Sequence, residues 1–370
     1  MINVISLLFN LLEVKKGKIV FSNFNGRGYG CNPKYITEKL LGMRNLDIVW
    51  LSNSNNNEFP NGVRVVKWGS VKALYEWSTA NVIVNNVRMG KYFDKGFKKK
   101  EGQIYIQTWH GSMGIKKMEA DCRHLTNKYI YRSKLDSSFI DYLISNSDWL
   151  SQRYKESFFY NGEILSIGSP RNDIFFDKTN SRKIDKIRHE IGVPASVKIL
   201  LYAPTFRDNG YESGVEIDWS KITNCLESKF GGKWVVGVRV HPNLSGKNLT
   251  FRTLDLSNYP DPQELLLITD CLITDYSSCA FDFVLTRRPV FLYVPDYADY
   301  ITSRGLYYPL SSTPFSIAED FNELIASIRN FNQIEYEKKT DAFLKAKISF
   351  DDGNASKRIA DLIIKHIEQS

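Results

Sequence analysis

Cysteine is scarce: five occur in 370 residues, without a CxxC pair, which excludes a disulfide framework or a structural zinc site and points to reduced thiols in a cytosolic compartment. The apolar opening run, Met1 to Val14, is too short to span a bilayer and has neither the charged leader nor the small-residue cleavage site of a secretory signal. The sequence also lacks a GxxxxGK[ST] loop, an HExxH pair, a GxSxG elbow and a DxD pair for metal-bound diphosphate. Phosphate charge must therefore be met by arginine, histidine, hydroxyls and helix ends, and no metal is expected to be essential. Basic residues are scattered rather than interleaved with aromatics in one stripe, so no nucleic-acid partner is expected.

What is present is a packing composition, with 43% hydrophobic, 13% aromatic and 24% charged residues. At roughly 150 residues per domain, this length predicts about two domains. Lys and Arg exceed Asp and Glu by 49 − 41 = +8, which favours anionic partners such as phosphorylated substrates or an anionic lipid surface. Lys15, Lys16 and Lys18 behind the apolar opening run would suit such a surface, although a first helix packed on the core is the plainer use of that run.

Apolar runs alternate with amphipathic segments from end to end, the pattern of βα units and a parallel sheet. Strands are expected at 18–24, 47–52, 63–68, 81–87, 103–108 and 142–145, then at 198–203, 234–240, 271–274 and 290–294. Pro170 and the polar Thr179 to Ser181 interrupt the pattern, so one α/β domain is expected over residues 1–180 and a second over 181–350. A terminal helix over 354–369 carries an apolar stripe, Ile359, Leu362, Ile363, Ile364 and Ile367, with which it could return to the first domain.

Chemistry-bearing residues gather where strands should end, the edge at which open α/β sheets bind ligands. His110 and Gly111 follow the strand at 103–108: the imidazole can accept a proton near neutral pH, and glycine lets the chain pass close to a substrate. Arg239 and His241 repeat the arrangement in the second domain and share one side of their strand by alternation. Arg171 at the junction, and Arg207 beyond Thr205, can fork onto phosphate oxygens. Asp275, Ser277 and Ser278 open a helix whose N–H groups and hydroxyls form a phosphate cradle, and Glu264 in another first turn can accept from ribose hydroxyls. Gly26, Gly28 and Gly30 form a GxGxG turn, which is not the dinucleotide fingerprint, and no acidic residue closes the next strand. Each residue also has an ordinary use, as a backbone-bonded histidine, an ion-paired arginine or a simple N-cap.

In order along the chain, TWHG (Thr108 to Gly111), SPRND (Ser169 to Asp173), YAPTFR (Tyr202 to Arg207), RVHPN (Arg239 to Asn243) and ITDYSS (Ile273 to Ser278) resemble the CDP-glycerol glycerophosphotransferase family of teichoic acid and capsule synthesis. The resemblance implies a GT-B architecture, two Rossmann-like domains facing a central cleft, with the nucleotide held mainly by the second. It implies that His110 is the general base toward the acceptor hydroxyl, which attacks the β-phosphorus of CDP-glycerol as CMP leaves. It assigns His241, Arg171, Arg207, Ser277 and Ser278 to the diphosphate, with Gly111, Thr205, Arg239, Glu264 and Asp275 as further binding positions. It also implies a CDP-alditol donor, a lipid-linked (undecaprenyl-type) or glycan acceptor, and a peripheral position on the cytoplasmic face of the membrane. Where the family commonly reads WHGTPLKK, this chain has Ser112, Met113, Gly114 and Ile115 before Lys116 and Lys117, a departure on the acceptor side. A GT-B glycosyltransferase using a nucleotide sugar and a polyanion-binding protein without turnover are the rival readings.

Overall fold

The computed structural model describes residues 8–54, 59–94, 96–205, 217–240 and 253–370. The chain divides into two units, residues 1–112, 118–176 and 348–370 in the first and residues 113–117 and 177–347 in the second.

The first unit is built on seven parallel strands among the described residues: β1 (Lys18–Ser22), β2 (Asp47–Ser52), β3 (Val63–Lys67), β4 (Val82–Asn85), β5 (Ile104–Gln107), β6 (Tyr142–Ser145) and β7 (Glu163–Ser166), in the order β3-β2-β1-β4-β5-β6-β7. The strands read as unbroken apolar runs because both faces are covered. Ile19, Phe21, Ile48, Trp50, Val82 and Val84 join one core with Ile36 and Leu40 of the helix Cys31–Leu40. The alternate positions Val20, Val49, Leu51 and Ile83 join another with Ala73 and Trp77 of the helix Val71–Thr79. The second unit repeats the plan with β8 (Val197–Tyr202), β9 (Lys233–Val238), β10 (Thr253–Asp255), β11 (Cys271–Thr274), β12 (Val290–Tyr293) and β13 (Ser316–Ala318), parallel in the order β10-β9-β8-β11-β12-β13. In both units the order reverses beside the first strand, between β1 and β4 and between β8 and β11, which creates the switch point where doubly wound sheets place ligands.

The sequence pattern does not announce β7, β10 or β13, and all three are sheet edges. An edge strand has one neighbour and keeps exposed side chains, so a short, half-polar segment suffices. The strand expected to run to Phe24 ends at Ser22, because Phe24 and Asn25 turn into the left-handed region at φ 41° and 57°.

The terminal helix Ala355–Gln369 packs Ile359, Ala360, Ile363 and Ile367 into the first unit's core. Its first turn is capped from a distance. Asp173 accepts hydrogen bonds from the N–H groups of Ala355 (3.1 Å) and Ser356 (2.7 Å), placing a carboxylate at the positive end of the helix. Burial pushes the Asp173 carboxyl up, while the Ser356 and Ala355 bonds oppose the shift.

Candidate functional site

In the first unit, the residues after β1, β4 and β5 meet at the switch point, and buried asparagines fix their geometry. The Nδ1 of His110 lies 2.6 Å from the carbonyl oxygen of Asn86. A carbonyl only accepts, so Nδ1 carries the hydrogen, and in the neutral ring Nε2 holds the lone pair. The ring stacks on Trp109 (4.3 Å between centroids) and packs against Phe24 (4.9 Å). The Asn86 amide donates to Asn23 Oδ1 (2.8 Å), and its own Oδ1 accepts the Phe24 N–H (2.9 Å).

Asn32, 1% exposed near the start of the helix Cys31–Leu40, donates to the carbonyls of Thr108 (3.2 Å) and Trp109 (2.9 Å). Its Oδ1 accepts the Arg171 N–H (3.0 Å), tying the histidine loop to the Ser169–Asp173 turn. Trp109 needs this support, since its φ of 49° is costly for a bulky residue. The chain at Gly111 passes close to Trp109: a Cβ there would stand 3.3 Å from the indole, a tight contact. Behind Trp109, Arg88 pairs with Glu119 (2.8 Å) and Asp136 (3.1 Å), and its guanidinium lies 4.8 Å from the Phe158 ring centroid. Burial alone would lower the Arg88 pKa, but Asp136 and Glu119 hold it raised.

Sequence reasoning missed Asn23, Asn32, Asn86 and Arg88. Three are short amides at strand or helix ends, ordinary in a turn, and only their long-range partners mark them as part of one support. Arg171 is 3% exposed, with Nη1 3.8 Å from Cys31 Sγ, so its side chain lies within the packing. In the Gly26–Gly30 turn, the N–H groups of Gly26 and Arg27 go to Asn23 O and that of Gly28 to Ser54 Oγ, so these three donors are used within the protein.

In the second unit, Asp275 after β11 reaches the loop after β8. It accepts from Thr205 N–H (2.9 Å) and Thr205 Oγ1 (2.6 Å), which closes the switch point with a buried carboxylate. Arg239, at the end of β9, donates through Nη1 to the carbonyls of Leu256 (2.9 Å) and Tyr259 (2.7 Å). Burial pushes its pKa down, while the nearby Asp261 carboxylate opposes the shift. Glu264 accepts from the Tyr259 hydroxyl (3.0 Å), whose pKa is raised by burial and by Glu264 itself. Ser277 Oγ accepts the Cys279 N–H (3.4 Å), whereas Ser278 occupies the N-cap position of the short helix Cys279–Phe283 without a side-chain cap bond. A Cβ on Gly114 would stand 3.5 Å from the Ser278 Cβ. Arg207 and His241 lie outside the described residues. Among the described residues there is no group of three or more His, Cys, Asp or Glu side chains arranged to hold a metal ion, and no helix is long and apolar enough to cross a membrane.

Residues 4–365 match the family model described as CDP-Glycerol:Poly(glycerophosphate) glycerophosphotransferase. The chain is 34% identical to a teichoic acid poly(glycerol phosphate) polymerase of Staphylococcus epidermidis, over 96% of this chain and 52% of that protein, so it spans about half of that relative. It is 28% identical to the polymerase of the same description from Bacillus spizizenii, over 98% of this chain and 95% of that one. Among solved structures, one of the wall teichoic acid polymerase TagF, a histidine-to-asparagine variant soaked with CDPG, superposes with a TM-score of 0.86 and 32% identity, covering 100% of this chain and 94% of that chain. This likeness gives the two Rossmann-like units the GT-B fold.

Proposed function

We propose that this chain, which belongs to the CDP-glycerol:poly(glycerophosphate) glycerophosphotransferase family, transfers glycerol phosphate from CDP-glycerol to a hydroxyl of a teichoic-acid-type acceptor and releases CMP. The observation that carries the mechanism is the orientation of His110, whose Nδ1–H is committed to the Asn86 carbonyl. Nε2 then takes the proton of the acceptor hydroxyl as its oxygen bonds to the β-phosphorus. The bond from that phosphorus to the bridging oxygen breaks, and CMP leaves with the electron pair.

The donor's diphosphate is assigned to the switch point of the second unit. Arg239, held by the Leu256 and Tyr259 carbonyls, supplies a positive charge there, and Ser277 and Ser278 supply hydroxyls. Arg207 and His241 take the same assignment from the sequence resemblance. Asp275 is given the role of holding Thr205 in place, and Glu264 that of accepting from the ribose. We assign Arg171 to support of the His110 loop through Asn32. Arginine, histidine and hydroxyls carry the phosphoryl charge in this mechanism without an essential metal.

We place the reaction at the inner face of the cytoplasmic membrane, on a lipid-linked (undecaprenyl-type) or glycan acceptor. The net charge of +8 and the exposed Leu8, Leu11 and Leu12 support this placement. Co-sedimentation with anionic liposomes should weaken in a chain lacking the first 16 residues; equal binding by both chains would remove this segment from the contact.

The test of function is CMP release from CDP-glycerol, CDP-ribitol and several nucleotide sugars with a membrane extract as acceptor. Release from a CDP-alditol, with a phosphodiester product and loss in His110→Ala, is the expected result. Turnover of a nucleotide sugar to a nucleoside diphosphate and a glycoside would replace this reading with that of a glycosyltransferase.

A further inference from the structure

The loop that follows β1 is strained and firmly held. Phe24, Asn25, Gly26 and Gly28 have φ of 41°, 57°, 93° and 43°. For Phe24 this conformation is costly and persists only where its surroundings over-determine it, whereas the glycines adopt it without penalty. Here the Gly26 carbonyl accepts from Asn53 N–H (2.8 Å) and Ser52 Oγ (3.3 Å), and a Cβ on Gly26 would stand 2.6 Å from Trp68 Cβ. Asn23 closes the loop from inside: its carbonyl receives the Arg27 N–H (2.8 Å), and its amide donates to the Arg27 carbonyl (2.7 Å).

Between residues 23 and 30 this loop carries one charged side chain, Arg27. It is exposed, and among the described residues its guanidinium has no hydrogen-bond or ion-pair partner. The backbone of Arg27 is held by Asn23 and the ring of His110 by Asn86, and the two asparagines are joined, since Asn23 Oδ1 takes the Asn86 amide (2.8 Å) and Asn86 O takes His110 Nδ1 (2.6 Å).

We propose that Arg27 binds a phosphate of the acceptor and so selects phosphate-bearing acceptors over neutral alcohols. This rests on the reading of His110 as the base for the acceptor hydroxyl. A guanidinium matches two phosphate oxygens at once, and a rigid backbone reduces the ordering cost of holding them.

The probe is a soluble acceptor ending in glycerol phosphate, compared with the same molecule lacking the phosphate. Arg27→Ala should raise KM for the phosphate-bearing acceptor about tenfold, leave KM for CDP-glycerol within about twofold, and spare the phosphate-free acceptor. Arg27→Lys should recover part of the loss, and high salt should narrow the gap between variant and wild type. An unchanged acceptor KM, or an equal loss with the phosphate-free acceptor, overturns the proposal. If the wild type releases no CMP from CDP-glycerol, the functional reading fails separately. Equilibrium binding of the two acceptors to wild type and Arg27→Ala then decides Arg27 by itself.

Discussion

The two units share a strand order, and four of their buried cations meet different partners, although Arg188 of the second unit also lies 3.4 Å from a carboxylate, Asp270. In the first, Arg88 meets two carboxylates, and Lys18 meets Glu76 at 2.7 Å with side chains 3% and 2% exposed. In the second, Arg239 and Arg288 are largely buried and meet carbonyls, and burial pushes both pKa values down. Arg288 satisfies the last carbonyls at the end of the helix Pro262–Ile268, a structural use just before β12, where that strand begins and not where strands end. Arg239 stands at the ligand-binding edge. Under the proposed function, a neutralised interior suits the unit assigned the proton-accepting histidine, and a guanidinium held mainly by carbonyls suits the unit assigned the diphosphate. The same residue type therefore does different work according to what faces it.

The largest effect should come from the proton acceptor. His110→Ala is expected to lower the rate of transfer about 10² to 10⁴-fold with unchanged thermal unfolding; transfer at near wild-type rate would remove the histidine from the mechanism and with it the contrast between the units. Next, Arg88→Met leaves Glu119 and Asp136 buried without their partner and should cost about 3–5 kcal/mol in urea unfolding. Arg239→Met tests the other half. It should raise KM for CDP-glycerol by about tenfold to a hundredfold, with a smaller loss of stability than Arg88→Met. If both arginine variants lose stability alike and donor KM stays unchanged, the proposed division of labour is wrong.

The smallest effect is one of pH. Arg64 holds the Asp47 carboxyl below its ordinary value of 3.8, against the opposing effect of burial. At Glu76 burial pushes the pKa up, but hydrogen bonds from Arg64 and Lys18 overcome it and leave the group below 4.5. A carboxylate lowered by folding stabilises the protein above its unfolded pKa and loses that contribution as pH falls through the folded pKa. Glu76→Gln should therefore cost roughly 1–2 kcal/mol at pH 7, and its melting temperature should converge on that of the wild type as pH falls through the lowered folded-state pKa of Glu76. A gap that stays constant into acid would mean that Glu76 acts by packing.

Much of the site is legible before folding is considered. His110, Thr205, Arg239 and Asp275 each follow an apolar run that becomes a strand, so period and composition place His110 at the strand-end edge of the first sheet and the other three at that of the second. Their partners are not legible. Asn32 reaches Trp109 across 77 positions, and Asp275 reaches Thr205 across 70, contacts that no local pattern encodes. The edge strand β10 is short and half-exposed, and its composition does not separate it from a loop. Residues 113–117 belong to the second unit although they lie within the first unit's stretch of sequence, and the segment's composition gives no sign of that exchange.

Burial of both sheet faces writes long apolar runs into the chain, and those runs alone specify an α/β protein with two parallel sheets and His110 and several arginines after strands. Tertiary structure alone decides which nitrogen of His110 carries the proton, that Arg171 turns into the packing, and that Asp173 caps a helix more than 180 residues away. Those outcomes depend on hydrogen bonds between groups brought together only when the sheets have formed, and they leave no period in the sequence.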